Sequence, residues 1–259
     1  MNLLLHGLEL GWGTVIYRPY VYAFFVCYLI FAIYHLGIKK TGMFLVGTYL
    51  IAFLAEYSST RNGFPFGIYT YIDETRTREL WISNVPFWDS LSFVFLSYFS
   101  FLVAAAARFP RDLERAFSVW ETPVIGGVLM MLLDIVIDPV ALRGDRWFLG
   151  HVYFYPNGGS YFGVTIANFV GWFVVGFFSQ WIFQRLGFWS SKRKIDAKFI
   201  WGAFGVYAGV FGFNLFMTAW IREFPLFYAS AAVVSLTLLV LFLSITRSSS
   251  IEREMVVAS

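Results

Sequence analysis

The chain has 259 residues, of which 59% are hydrophobic, 22% are aromatic and only 14% are charged. A soluble domain carries about a quarter charged residues, so this composition excludes an ordinary soluble protein, and the single cysteine, Cys27, excludes an intrachain disulfide and a cysteine-based metal cluster. The net charge of +3 comes from basic residues in short loops, which favours membrane topology over a nucleic-acid-binding surface.

The apolar residues lie in long runs, each about long enough to cross a ~30 Å hydrocarbon core as a helix. Continuous runs, in place of alternating residues, favour helices over a β-barrel. We therefore predict an all-α fold, a polytopic membrane helix bundle with about seven transmembrane helices. It forms a single domain over residues 1–247, followed by a polar C-terminal tail at 248–259. The predicted spans are 20–38, 42–59, 90–107, 123–140, 164–186, 200–219 and 224–245.

The distribution of Lys and Arg predicts the orientation of the bundle. Twelve of them lie with the odd-numbered loops and the C-terminal tail, against seven with the N-terminus and the even-numbered loops. The strongest group is Ser191–Lys194, in the loop after the fifth span. The positive-inside rule therefore places the C-terminus in the cytoplasm and the N-terminus outside. Because the chain is not strongly acidic, we expect the cell membrane of a bacterium, not of a haloarchaeon.

Two predicted outer loops are long and rich in aromatic residues, at 61–89 and 143–163. Connections of this length are usually functional caps or lids, or are disordered. Their aromatic content argues against disorder. An interfacial belt of Trp and Tyr is the alternative interpretation for any single aromatic residue.

Polar side chains from five of the predicted helices fall at one depth, in the outer half of the membrane. A carboxylate near the middle of a bilayer costs about 2.5–3.5 kcal/mol on insertion scales, so several at one level predict a shared polar cavity. The residues concerned are Glu56, Asp89, Asp134, Asp138, Asn168 and Asn214.

Asp134 and Asp138 are one helical turn apart and point the same way. Two carboxyl groups so close in a poorly solvated place do not both ionise, which leaves an acid beside a base. In the alternative interpretation, Asp138 ends its helix ahead of Pro139, and Asp134 pairs with Arg18 or Arg146.

The chain has no paired-histidine spacing, no glycine-rich phosphate loop and no dinucleotide fingerprint, so we predict neither a metal nor a cofactor. His35 closes the first span, and we expect it at the membrane interface, away from the acids.

Four stretches, ordered along the chain, resemble one family. They are AEYSSTRNGFPFGIYTY at 55–71, NVPFWDSLSF at 84–93, LLDIVIDPVALRGDRWFLG at 132–150 and YFGVTIANFVGWF at 161–173. Their order and motifs are similar to those of the membrane proteins of carotenoid biosynthesis, of the carotenoid 1',2'-hydratase type. That type acts on γ-carotene-like or bisanhydrobacterioruberin-like substrates. The resemblance covers about residues 50–175.

The resemblance implies an enzyme that adds water across a terminal isoprenoid double bond without a cofactor. It implies a lipophilic polyene and water as substrates, membrane lipids as the surroundings and other carotenoid-pathway enzymes as partners. The expected catalytic residues are Asp134, Asp138 and Glu56. The expected substrate-binding residues are Phe66, Tyr69, Tyr71, Trp147, Asn168 and Trp172.

Two other functions stay open at this point. An Asp-x3-Asp pair on a membrane helix also occurs in intramembrane prenyltransferases, which hold Mg²⁺ and a diphosphate. Those enzymes need a second acidic motif on a facing helix, which is not evident in this chain. A proton-coupled carrier or a carotenoid-binding protein would also place acids at one depth, although the chain lacks the inverted repeat that many carriers use.

Overall fold

The computed structural model describes the backbone of residues 3–110, 112–190 and 195–257, and the side chains of 6–110, 112–190 and 195–246. The basic segment Ser191–Lys194 lies outside the described residues. Helices make up most of the described chain: α1 (Leu3–Tyr17), α2 (Pro19–Asn62), α3 (Phe87–Arg108), α4 (Leu113–Ala116), α5 (Glu121–Ala141), α6 (Ile166–Arg185), α7 (Ala197–Trp220) and α8 (Phe224–Val257).

Six of these helices, α2, α3 and α5–α8, are long and apolar enough to cross a membrane. The chain is therefore an integral membrane protein, and the prediction of an all-α polytopic bundle is confirmed. The predicted spans 20–38 and 42–59 both fall within α2, which has 44 residues. The last predicted span ends at residue 245, whereas α8 continues to Val257.

The long helix α2 folds back on itself at Gly37. There φ is +77° and ψ is 163°. This conformation lies outside the helical region, and glycine adopts it more easily than other residues do. The Tyr28 hydroxyl donates a hydrogen bond of 3.0 Å to the Thr41 carbonyl, although 13 residues of continuous helix would separate them by about 20 Å. We call the two halves α2a (residues 19–36) and α2b (residues 38–62); together they account for the two predicted spans.

The break at Gly37 also buries His35, which is only 1% exposed. Its Nδ1 lies 3.1 Å from the Tyr98 hydroxyl oxygen, and its ring packs against Phe117 and Trp189. The structure thus places His35 in the protein core and not at an exposed interface.

Helix α3 forms the centre of the bundle, and 89% of its apolar membrane-spanning stretch is buried within the protein. Helices α5 and α6 pack closely against each other. A Cβ atom on Gly176 would lie 2.8 Å from Cγ of Met130 and 3.5 Å from Cα of Gly127, so only a residue without a side chain permits this approach. The close packing brings the aspartates of α5 beside the first turn of α6.

The two long loops cover the same end of the bundle, which we call the loop end. They are joined by an antiparallel pair of short strands, β1 (Thr70–Tyr71) and β4 (Tyr153–Phe154), in which Tyr71 faces Tyr153. A second pair, β2 (Trp81–Ile82) and β3 (Val85–Pro86), leads into α3. Two 3₁₀ turns, Asp73–Thr75 and Gly144–Arg146, complete the loops.

Candidate active site

A cavity of about 130 Å³ lies at the loop end of the bundle, between the helices and beneath the two loops. Its walls come from α2, α3, α5, α6 and α7 and from both loops. Among the residues predicted for the site, eight line it: Glu56, Phe66, Tyr69, Tyr71, Asp138, Trp147, Asn168 and Trp172. The ninth, Asp134, lies behind the wall and reaches the cavity through Asn168.

The amide of Asn168 bridges the two aspartates of α5. Its Nδ2 donates to Asp134 Oδ2 at 2.6 Å and to Asp138 Oδ2 at 2.7 Å. Asp134 is 0% exposed and Asp138 is 7% exposed. Within the part of the chain that the structure describes, neither carboxyl group forms an ion pair with Lys or Arg. The Tyr155 hydroxyl also donates to Asp138 Oδ2, at 3.5 Å. Two buried neighbouring carboxyl groups without a cation partner are expected to hold one proton between them.

The alternative interpretation of the two aspartates is wrong. Helix α5 continues through Pro139 to Ala141, so Asp138 does not end it. Arg18 pairs with Glu79, and Arg146 pairs with Glu223 at the start of α8. The two arginines proposed as partners of Asp134 therefore bind other carboxylates.

Glu56, near the end of α2b, is held by two hydroxyl groups. The Tyr71 hydroxyl donates to its Oε1 at 3.2 Å, and the Ser90 hydroxyl donates to its Oε2. Glu56 is 4% exposed. This carboxylate is thus fixed between a loop residue and the first turns of α3.

Four tyrosines of the loops form a roof of phenol groups over the acids. Tyr69 packs against Tyr71, Tyr153 and Tyr155, with ring centroids 5.2 to 6.0 Å apart. Burial, and next the Glu56 carboxyl, raise the pKa of Tyr71 well above its ordinary value of 10.0. Burial, and next the Asp138 carboxyl, raise the pKa of Tyr155 in the same direction. These phenols therefore stay neutral and act as hydrogen-bond donors.

Aromatic rings form the deeper walls. Trp172 stacks on Phe93 with a centroid distance of 4.1 Å, and Phe66 lies 5.7 Å from Phe93. The Trp147 indole nitrogen donates to the Val140 carbonyl at 3.1 Å, which holds its ring at the cavity. Aromatic faces attract cations by about 0.5–2 kcal/mol each. Aromatic side chains thus form the apolar walls of the cavity, and their faces can also stabilise a positive charge.

Neither Arg18 nor Glu79 is among the residues that the sequence predicts for the site. Arg18, immediately before α2a, lines the cavity and is 2% exposed. Its Nε and Nη2 each lie 3.2 Å from an oxygen of Glu79, which is 0% exposed and also accepts from the Thr75 hydroxyl. The two residues are 61 positions apart, and no motif or spacing links them. A basic residue before a span is normally a topology signal, so only the fold reveals this pair.

Two further residues of the predicted polar layer line the cavity, Asp89 and Asn214. The Asn214 amide donates within its own helix to the Val210 carbonyl at 2.9 Å. Among the described residues, no group of three or more His, Cys, Asp or Glu has an arrangement that could hold a metal ion.

Long apolar helices around an acid-lined cavity define an integral membrane protein whose candidate site suits a mostly apolar ligand. The chain belongs to the family described as carotenoid biosynthesis protein, which matches residues 17–242. This match confirms the family resemblance of the four sequence stretches.

The chain is also similar to the bisanhydrobacterioruberin hydratase of Haloarcula japonica, with 27% identity over 211 residues. The alignment covers 74% of this chain and 62% of that relative, so the chain spans less than two thirds of the relative's length. No solved structure matches the chain significantly.

Proposed function

We propose that the protein is a carotenoid hydratase, which adds water across a terminal isoprenoid C=C of a polyene. The observation that carries the proposal is the Asp134–Asn168–Asp138 bridge at the wall of an aromatic cavity. The family and the name of the Haloarcula relative support a carotenoid substrate and hydration chemistry.

The size of the cavity supports recognition of an end group. Cavities of about 150 Å³ hold a benzene-sized molecule, and this one measures about 130 Å³. A branched isoprenoid end therefore fits, whereas the long conjugated chain has to lie outside, between helices and lipid. The cavity is therefore expected to select an unmodified end group, because a polar or bulkier end would be placed against the aromatic walls.

The reaction begins with a proton from the aspartate pair. Asp138 lines the cavity, so its carboxyl group donates to the less substituted carbon of the double bond, and Asp134 behind it shares the remaining charge. The π electrons form the new C–H bond, which leaves a tertiary carbocation. The cation is stabilised by the faces of the aromatic residues: Phe66, Tyr69, Tyr71, Trp147 and Trp172.

Water captures the cation and completes the hydration. Glu56 and Asn168 both line the cavity and orient this water molecule. The water oxygen forms the new C–O bond and releases one proton to a carboxylate. The net change is one water molecule added, with no oxidation or reduction, so the reaction requires no redox cofactor.

The assignment is tested in a carotenoid-producing host that expresses Asp138→Asn, Asp134→Asn or Glu56→Gln. General acid–base groups contribute about 10²–10⁴-fold, so Asp138→Asn is expected to abolish detectable hydrated pigment and the other two to reduce it. Asp73→Asn, on a loop side chain that is 67% exposed, is the matched control. Full conversion by all three variants would contradict the assignment. Pigment that co-purifies with the wild type but is never converted indicates a binding protein, and loss of conversion on chelating Mg²⁺ indicates a prenyltransferase.

A further inference from the structure

A third kind of carboxyl group faces the same cavity. Asp89, in the first turn of α3, lines the cavity with Asp138 and Glu56, and its buried Oδ2 has no hydrogen-bond partner among the described residues. Its surroundings differ from those of both other acids. Its charged neighbours are the Arg18 guanidinium, which lines the same wall and attracts the Asp89 carboxylate, and the carboxyl groups of Glu79 and Asp138.

The arginine is itself anchored. Arg18 makes two hydrogen bonds of 3.2 Å to Glu79, and both side chains are buried. The Thr75 hydroxyl holds Glu79 from the other side. Arg18 and Glu79 cancel each other's charge as a pair, and Asp89 adds one further negative charge beside them. The guanidinium therefore sits at a fixed position on the cavity wall that it shares with Asp89.

Acid and base roles separate where neighbouring carboxyl groups have different surroundings. Asp134 and Asp138 lie side by side on one amide donor and form no ion pair with the described residues, so the two groups are expected to retain one proton between them. Asp89 lines the same cavity with an oxygen that no donor of the described residues occupies, so this oxygen is an open acceptor for the proton of a water molecule. Glu56 is less suited to accept a proton, because each of its oxygens already accepts a hydrogen bond, from Tyr71 and from Ser90.

We propose that Asp89 is the catalytic base, which takes the proton of the attacking water, and that Arg18 and Glu79 are its positioning residues. The proposal rests on the proposed hydratase function. The proton balance is closed: Asp138 gives one proton to carbon, water forms the C–O bond, and Asp89 receives one proton from the water. Cavity water then returns that proton from Asp89 to Asp138, and both groups regain their starting states.

Deuterium exchange separates the two proton transfers. Membranes that contain the full chain are incubated in D₂O with lycopene, a polyene with two unmodified acyclic isoprenoid ends. The hydrated product and the deuterium in recovered lycopene are both measured by mass spectrometry. In Asp89→Asn the acid still delivers a deuteron and the cation collapses back to alkene, so hydration falls at least 100-fold while exchange stays within tenfold of the wild-type rate. In Asp138→Asn both hydration and exchange disappear.

The outcomes also distinguish this proposal from the hydratase function. Hydration by Asp89→Asn at the rate of the control Asp73→Asn overturns the role of Asp89 and leaves the hydratase intact. Equal loss of hydration and exchange in Asp89→Asn also overturns it. A wild-type protein that neither hydrates lycopene nor exchanges deuterium into it contradicts the proposed function itself.

The positioning pair is tested without leaving a buried charge unpaired. The double variant Arg18→Met with Glu79→Gln removes both charges at once. It is expected to lower the ratio of hydration to exchange at least tenfold, as Asp89→Asn does, because the base loses its fixed cation. Arg18→Lys retains the charge and is expected to restore part of that ratio. If Arg18 and Glu79 only support the fold, the double variant lowers hydration and exchange equally and leaves the ratio of hydration to exchange unchanged. That result would overturn the positioning role.

Discussion

The amide of Asn168 offers the sharpest test of the aspartate bridge, because one substitution removes two hydrogen bonds. Asn168→Leu keeps the approximate volume of the side chain and deletes the donor that lies 2.6 Å from Asp134 Oδ2 and 2.7 Å from Asp138 Oδ2. A hydrogen bond to a charged group contributes about 1.5–3 kcal/mol, and one between neutral groups about 1 kcal/mol. With one carboxylate and one carboxylic acid in the bridge, we expect the variant to lose about 2.5–4 kcal/mol of folding free energy.

The effect on the rate is smaller. Only the part of a hydrogen bond that strengthens in the transition state lowers the barrier. As Asp138 loses its proton, its bond from Asn168 changes from a neutral to a charged one, a gain of about 0.5–2 kcal/mol. At about 1.4 kcal/mol per factor of ten, this predicts a hydration rate roughly 2- to 30-fold below the wild type.

The measurements are the thermal midpoint of the detergent-solubilised protein and the initial rate of hydration in membranes. Asn214→Leu is the matched control, because Asn214 also lines the cavity but donates to the Val210 carbonyl of its own helix. We expect the control to lose about 1 kcal/mol and to lower the rate less than Asn168→Leu does. Equal stability losses in the two variants, with the wild-type rate retained in Asn168→Leu, would refute the bridge as a catalytic arrangement.

Three other predictions concern the fold that carries the site. Gly176→Leu is expected to lower the free energy of unfolding by about 1–3 kcal/mol and to reduce hydration, because the new side chain pushes α5 away from α6. The control Gly205→Leu, with no atom within 4 Å of its Cβ position, is expected to retain the wild-type thermal midpoint. Equal midpoints in the two variants would contradict this packing. Gly37→Ala is expected to lower the free energy of unfolding by about 1–2 kcal/mol, because a Cβ atom is disfavoured at the φ of +77° there. An unchanged thermal midpoint would argue against the hairpin in α2. With the native cysteine replaced, Asp145→Cys is expected to react with an impermeant maleimide on intact cells and Ser118→Cys only after permeabilisation; the reverse pattern inverts the predicted orientation.

The helices follow from local properties of the sequence. An apolar run of about 20 residues can satisfy its backbone in lipid only as a helix, so the runs indicate the spans wherever they lie in the chain. The sequence predicts the hairpin in α2 as two spans, 20–38 and 42–59, and the gap between them holds Lys39 and Lys40. The structure adds the cause of the turn, a positive φ at Gly37, which composition does not reveal.

The site was only partly predictable. Asp134 and Asp138 follow from their four-residue spacing, and Asn168 follows from its depth in the next helix. Arg18 and Glu79 were missed because a buried ion pair between a helix start and a distant loop has no periodic signal. The burial of His35 has no signal in the sequence because it depends on rings that pack against it from four other parts of the chain.

The amino-acid sequence alone predicts that this chain lies in a membrane, that it crosses the membrane as helices and that two carboxyl groups share one helix face. These are consequences of run length and of the helical repeat, both of which act over a few turns of chain. Which donor reaches which acid depends on the tertiary fold: Asn168 and Tyr155 for the aspartate pair, and Tyr71 and Ser90 for Glu56. The position of Arg18 near Asp89 depends on it as well. Those contacts depend on how distant helices and loops pack, and no local pattern encodes that packing.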